Sequence, residues 1–163
     1  MLATTETIDW GLKLLGIPPL WQETKGSGIK VAVLDTGIAL EHPDLKPAIL
    51  AARDFTRSPS AADDAQGHGT HVSGIIAARR NLYGIVGVAP EAKIISAKVL
   101  NDEGVGTAEE IVAGIRWAIE SGADILSLSL GSPEPDHEIH QALLLAISKG
   151  IFVITAAGNE GPE

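Results

Sequence analysis

An aspartate and a histidine that could work as a proton-handling pair stand 33 residues apart: Asp35 in Val-Ala-Val-Leu-Asp-Thr-Gly (31–37) and His68 in Gly-His-Gly-Thr-His-Val (67–72). A buried carboxylate can fix the tautomer of an imidazole and stabilise its charged form, which equips the imidazole to take a proton from a hydroxyl. Each residue alone has a plainer reading. An aspartate after an apolar strand is often a turn former or helix N-cap, and a lone histidine is more often structural. The glycines on both sides of His68 weigh the other way, because they let a second backbone or a substrate come close. A third signal, Ala-Ala-Gly-Asn-Glu-Gly-Pro (156–162), suggests a side-chain donor for an oxyanion, Asn159.

Five apolar runs could position these groups. Residues 29–34 form a β-branched stretch that reads as a strand buried on both faces. Weaker or comparable runs follow at 48–55, 93–100, 123–130 and 151–156. Between them, 68–78 reads as a helix of small apolar residues. Residues 107–121 open with Thr-Ala-Glu-Glu, a capping box in which Thr107 is the N-cap and Glu110 reaches back. A third helix over 136–149 has Asp136 as N-cap and Gly150 as its stop. Strands alternating with helices of this length predict right-handed βαβ units: an α/β fold with a parallel β-sheet and helices on both faces. Residues 1–27 read as a helical lead-in divided at Pro18-Pro19, and 28–163 as the parallel core of a single incomplete domain. Ligands of such sheets sit beyond the carboxyl ends of the strands, where Asp35, Leu100–Gly106, Ser129–Gly131 and Gly158-Asn159 all fall.

Composition narrows the chemistry. At 163 residues, with 45% hydrophobic and 20% charged residues, the chain can bury one core and is not a disordered sequence. A net charge of −9 and the lack of any Lys/Arg cluster argue against nucleic acid as a partner. The absence of cysteine excludes a thiol nucleophile and thiolate metal sites. No apolar run is long enough to span a membrane, and no signal peptide is visible, which leaves the compartment open. A nucleotide-binding reading fails on spacing, since neither Gly84-Ile-Val-Gly87 nor Gly104-Val-Gly106 meets Gly-x-Gly-x-x-Gly.

Taken in order, Asp-Thr-Gly, His-Gly-Thr-His-Val-Ser-Gly, Ser-Leu-Gly (129–131) and Ala-Ala-Gly-Asn-Glu-Gly resemble the subtilisin-like serine proteases, the subtilases, over about residues 8–163. The resemblance implies an endopeptidase with no cofactor in its chemistry. It implies Asp35 as orienting acid, His68 as general base and Asn159 as oxyanion donor. His71 would point elsewhere on the helix, in a structural role. Ser129-Leu130-Gly131 and, as an opposite edge strand, Gly104-Val105-Gly106 would sandwich an extended polypeptide substrate. Asp44 and Asn81 match positions that supply structural calcium in many subtilases, although Arg79 and Arg80 crowd that loop and no N-terminal Gln ligand is evident. His137 and His140, with the spacing of a zinc pair, read instead as a solvated helix start.

The family's nucleophile, in Gly-Thr-Ser-Met-Ala, would fall beyond Glu163, and none of the chain's serines has that context. The expectation is therefore a catalytic domain represented without its nucleophile and inactive alone. Its last strand would be an apolar edge that pairs with a C-terminal half or with a second copy. The alternative is a non-catalytic subtilase-like module that binds peptides or partners.

Overall fold

A computed structural model describes residues 5–131 and 134–159. The end of the Gly-Asn segment, 160–162, lies outside the described residues. Five strands form one wholly parallel sheet: β1 (Lys30–Asp35), β2 (Ile49–Asp54), β3 (Lys93–Lys98), β4 (Ile125–Leu128) and β5 (Phe152–Thr155), in the order β2-β3-β1-β4-β5. Each observed strand lies within or one residue off its apolar run. The largest shortening is at β4, where pairing stops at Leu128.

Two short helices, α1 (Trp10–Leu14) and α2 (Ile17–Leu20), precede the sheet. Their break differs from the one expected. It falls at Gly16, in the left-handed region at φ 68°, and the prolines lie within the first turn of α2. A proline there lacks an N–H that the first turn would leave unpaired anyway, so Pro18-Pro19 continues the helix it was expected to divide.

Three longer helices cover the sheet: α3 (His68–Ala77), α4 (Ala108–Glu120) and α5 (His137–Ser148). Alternation along β1 decides what each covers. Val31 and Val33 face α3 with Ile94, Ile38, Leu45 and Ala77, whereas Ala32 and Leu34 join Ile95, Ala97 and Leu126 beneath Ile111, Ile115 and Ala118 of α4 and Ala142 and Ala146 of α5. With side chains packed on both faces, β1 must be apolar throughout, which is why its sequence does not alternate. Fully burying one Ile or Leu contributes roughly 1.5–3 kcal/mol, so these two layers hold the sheet. Gly114 lets α4 settle onto β3, since a Cβ there would lie 2.4 Å from Val99 Cγ1.

The caps match the sequence. Thr107 and Glu110 form the reciprocal box of α4, and Asp136 accepts from Glu138 and Ile139 N–H at the start of α5. Gly150 takes φ 82° where α5 ends. Successive strands leave β1 in opposite directions, β3 on one side and β4 on the other, and the loops after them part over the carboxyl end of β1.

Candidate active site

Asp35 is the last residue of β1 and 1% exposed. Its Oδ1 lies 2.7 Å from Nδ1 of His68, the first residue of α3, and also accepts the Thr36 N–H at 2.7 Å. The His68 side chain is 46% exposed, so one ring edge is held by the protein and the other faces solvent. The tautomer in which Nδ1 donates to the carboxylate leaves Nε2 with a free lone pair on the solvent-facing edge. Among the described residues, Asp35 Oδ2 is buried without a hydrogen-bond donor, which leaves the carboxylate's charge weakly countered beside the imidazole.

The two glycines around His68 act differently. Gly67 adopts φ 97°, which turns the chain into α3. Gly69 is helical, but a Cβ on it would meet the Gly37 carbonyl oxygen at 2.3 Å and Asp35 Cβ at 3.1 Å. Its bare backbone lets the helix start seat against the Asp35 turn, which brings His68 within bonding distance.

Asp64 and Thr36 complete that seat, and neither was marked in the sequence. Asp64 accepts the N–H groups of Gln66, Gly67 and Thr70 and the hydroxyls of Thr70 and Thr36. Thr36 Oγ1 in turn accepts the Gly69 N–H at 3.0 Å. Burial pushes the Asp64 carboxyl upward, but the Thr70 hydroxyl, the Gly67 and Thr70 amides and the Thr36 hydroxyl outweigh it and hold the group below its ordinary value. Because its folded pKa is the lower one, Asp64 stabilises the fold above the unfolded value of 3.8 and less so as acid titrates it. An acidic residue four positions ahead of His68 was the available signal for this cap.

A cleft of about 520 Å3 opens beside His68. Its lining includes all six expected substrate-binding residues, Gly104, Val105, Gly106, Ser129, Leu130 and Gly131. One expectation changes: residues 104–106 are not a strand. Asn101 closes this loop on itself, its N–H donating to Val105 O at 2.8 Å and its Oδ1 accepting from Val105 N–H at 3.0 Å. Asn159 lies past the end of β5, at the carboxyl end of the sheet as Asp35 does, but does not line the cleft. His71 is exposed on α3 and lines a separate cavity with His42 and Asp44. His137 and His140 are exposed on the first turn of α5.

Asp44 and Asn81 do come together, but as a hydrogen-bonded pair. Asn81 Nδ2 donates to Asp44 Oδ1 at 2.9 Å, and Ile85 N–H donates to Asp44 Oδ2 at 3.3 Å. Asn81 Oδ1 accepts from Tyr83 N–H, so the amide is oriented at both ends. Glu6 reaches the same loop, accepting the N–H groups of Asn81 and Leu82 and pairing with Arg80 at 3.4 Å. Calcium needs six to eight converging oxygens. Here the side-chain oxygens are met by N–H donors and a guanidinium, and this donor set does not fit the ion. Excess chelator is expected to shift the melting temperature by less than about 1 °C, because an unbound ion contributes no linkage. Circular dichroism melts with and without calcium check this, and a drop of several degrees on chelation would contradict it.

Comparison with known proteins identifies the family. The family model of the subtilases matches residues 26–163. An intracellular serine protease of Paenibacillus polymyxa is 49% identical over 94% of the chain, and the major intracellular serine protease of Bacillus subtilis is 46% identical over 93%. Subtilisin DY of Bacillus licheniformis is 41% identical over 96%. The chain spans 48%, 49% and 57% of these three proteins, about half their length. A parallel sheet with an Asp–His pair at the carboxyl end of its central strand, matched across nearly its whole length by this family, makes the chain a member of the subtilases.

Proposed function

We propose that this chain supplies the acid, the base and one side of the substrate cleft of a serine endopeptidase. The observation that carries the reading is the 2.7 Å bond between Asp35 and His68 at the mouth of a peptide-sized cleft. Asp35 holds the Nδ1–H tautomer, and His68 Nε2 takes the proton of a serine hydroxyl as it attacks the peptide carbonyl. His68 then returns that proton to the leaving amine. Asn159 donates its side-chain N–H to the tetrahedral oxyanion, a role supported by its place beside the same strand ends. Residues 129–131 and 104–106 form opposite walls for an extended polypeptide.

In this reading the nucleophile comes from outside the described residues, from a portion of the kind by which the relatives exceed the length matched here. That portion covers β5, where Phe152 is 72% and Ile154 59% exposed on the sheet face opposite α5. Apolar side chains in such density at a sheet edge fit an internal packing surface better than a free one.

A fluorophosphonate probe tests this directly. It is expected to label one serine of the full-length protein, outside residues 5–159, and to leave the 163-residue chain unlabelled. Labelling of a unique serine within the isolated chain would overturn the assignment. No labelling of the full-length protein would instead favour the peptide-binding alternative.

A further inference from the structure

Lys98 ends β3 and is wholly buried, yet the Asp35–His68 pair does not use it. An ammonium excluded from water is retained only where each of its donors finds an acceptor. Its Nζ donates to the carboxylate of Asp102 at 2.9 Å, to the carbonyl of Thr36 at 2.5 Å and, at 3.4 Å, to the carbonyl of Asp63. Asp102 Oδ1 also accepts the Ser60 hydroxyl at 2.5 Å. Three segments therefore meet on one charge. They are the turn that follows Asp35, the stretch that delivers Asp64 to the start of α3, and the 101–106 loop that walls the cleft.

The 101–106 loop is stiff within itself, because Asn101 bonds Glu103, Gly104 and Val105 from inside. Asp102 ties it to the layer beneath. The Ser60 hydroxyl and the Lys98 ammonium hold the Asp102 carboxyl below its ordinary value. A lysine kept for packing alone would be better replaced by an apolar side chain of like volume.

We propose that Lys98 is a positioning residue for substrate selection, holding through Asp102 the 101–106 wall at a fixed distance from the Asp35–His68 pair. The proposal rests on the endopeptidase reading. It assigns the preference for extended peptides over short substrates to the pair of buried Lys98 with partly exposed Asp102. A peptide that runs along both walls needs the 104–106 segment in place, whereas a single-residue ester is held next to His68 alone.

The test uses the full-length protein and two variants, Asp102→Asn and Lys98→Met. For each, kcat/KM is measured on a tetrapeptide anilide and on an N-acetyl amino-acid ester with the same residue before the cleaved bond. Both variants are expected to lower the tetrapeptide-to-ester ratio of kcat/KM about tenfold, mainly through a higher KM for the tetrapeptide. Should Lys98→Met fail to fold, Asp102→Asn carries the test, since it leaves the lysine its two carbonyl partners. An unchanged ratio, with both substrates slowed equally or not at all, would show that the pair only supports the fold, and would overturn the proposal. Wild-type protein that hydrolyses neither substrate would instead reject the endopeptidase reading itself, and this proposal with it.

Discussion

His68→Ala in the full-length protein is expected to lower kcat by on the order of 10⁶, with KM little changed. That is the scale known for loss of the triad histidine in subtilisin. Asp35→Asn is expected to cost about 10⁴, for a different reason. An amide at position 35 is as large as the carboxylate but can donate to Nδ1. The imidazole would then carry its proton on Nε2, the edge facing the cleft, and no lone pair would remain for the nucleophile. The geometry separates this loss from misfolding. Removing a side chain that is 46% exposed disturbs little packing, and Asn keeps the shape of the buried Asp35. Both variants should therefore melt within a few degrees of the parent, and steady-state kinetics on a peptide anilide reads the chemistry alone. Retention of activity within tenfold of the parent by either variant would remove the pair from the mechanism.

The sheet and the pair were legible because both are written locally. A strand covered on both faces needs an unbroken apolar run, and 30–35 shows one; helix caps need particular side chains at fixed offsets, and Thr107 and Asp136 supply them. What sequence reading missed depends on which side chains the fold turns toward one another. Lys98 reads as the polar end of an apolar strand, and only the fold brings it to the carbonyl of Thr36, 62 residues away in sequence. Asp64 looks like one of a run of acidic residues until five donors converge on it. At Asp44 and Asn81 the residue types were those of a cation site. The direction of the Asn81 amide, set by Tyr83 and Asp44 together, decides against it, and direction is not encoded in residue type. Pro18-Pro19 misled because proline stops a helix only from within, and here both lie in its first turn.

The second large effect is expected at a residue with no functional group. Gly69→Ala places a Cβ 2.3 Å from the Gly37 carbonyl oxygen and 3.2 Å from Asp35 Oδ1, against main chain on one side and the Asp35 carboxylate on the other. Neither neighbour can swing away as a flexible side chain would. The first turn of α3 must move instead, against the Thr36 and Asp64 bonds that hold it. Overpacking of this kind costs about 1–3 kcal/mol. A shift of about 1 Å in a catalytic group costs about 10² in rate. Gly69→Ala is thus expected to lower both the melting temperature and kcat, the latter by about 10². Gly67→Ala is the control, because no atom lies within 4 Å of a Cβ there and only its φ of 97° is strained. That change should cost about 1–2 kcal/mol of stability while the Asp35–His68 distance, and with it kcat, stays near the parent value. Equal kcat losses in the two variants would mean that backbone strain, rather than the close approach of Gly69 to Asp35, governs the pair. A Gly69→Ala protein with parental kcat would show that α3 can reseat without disturbing it.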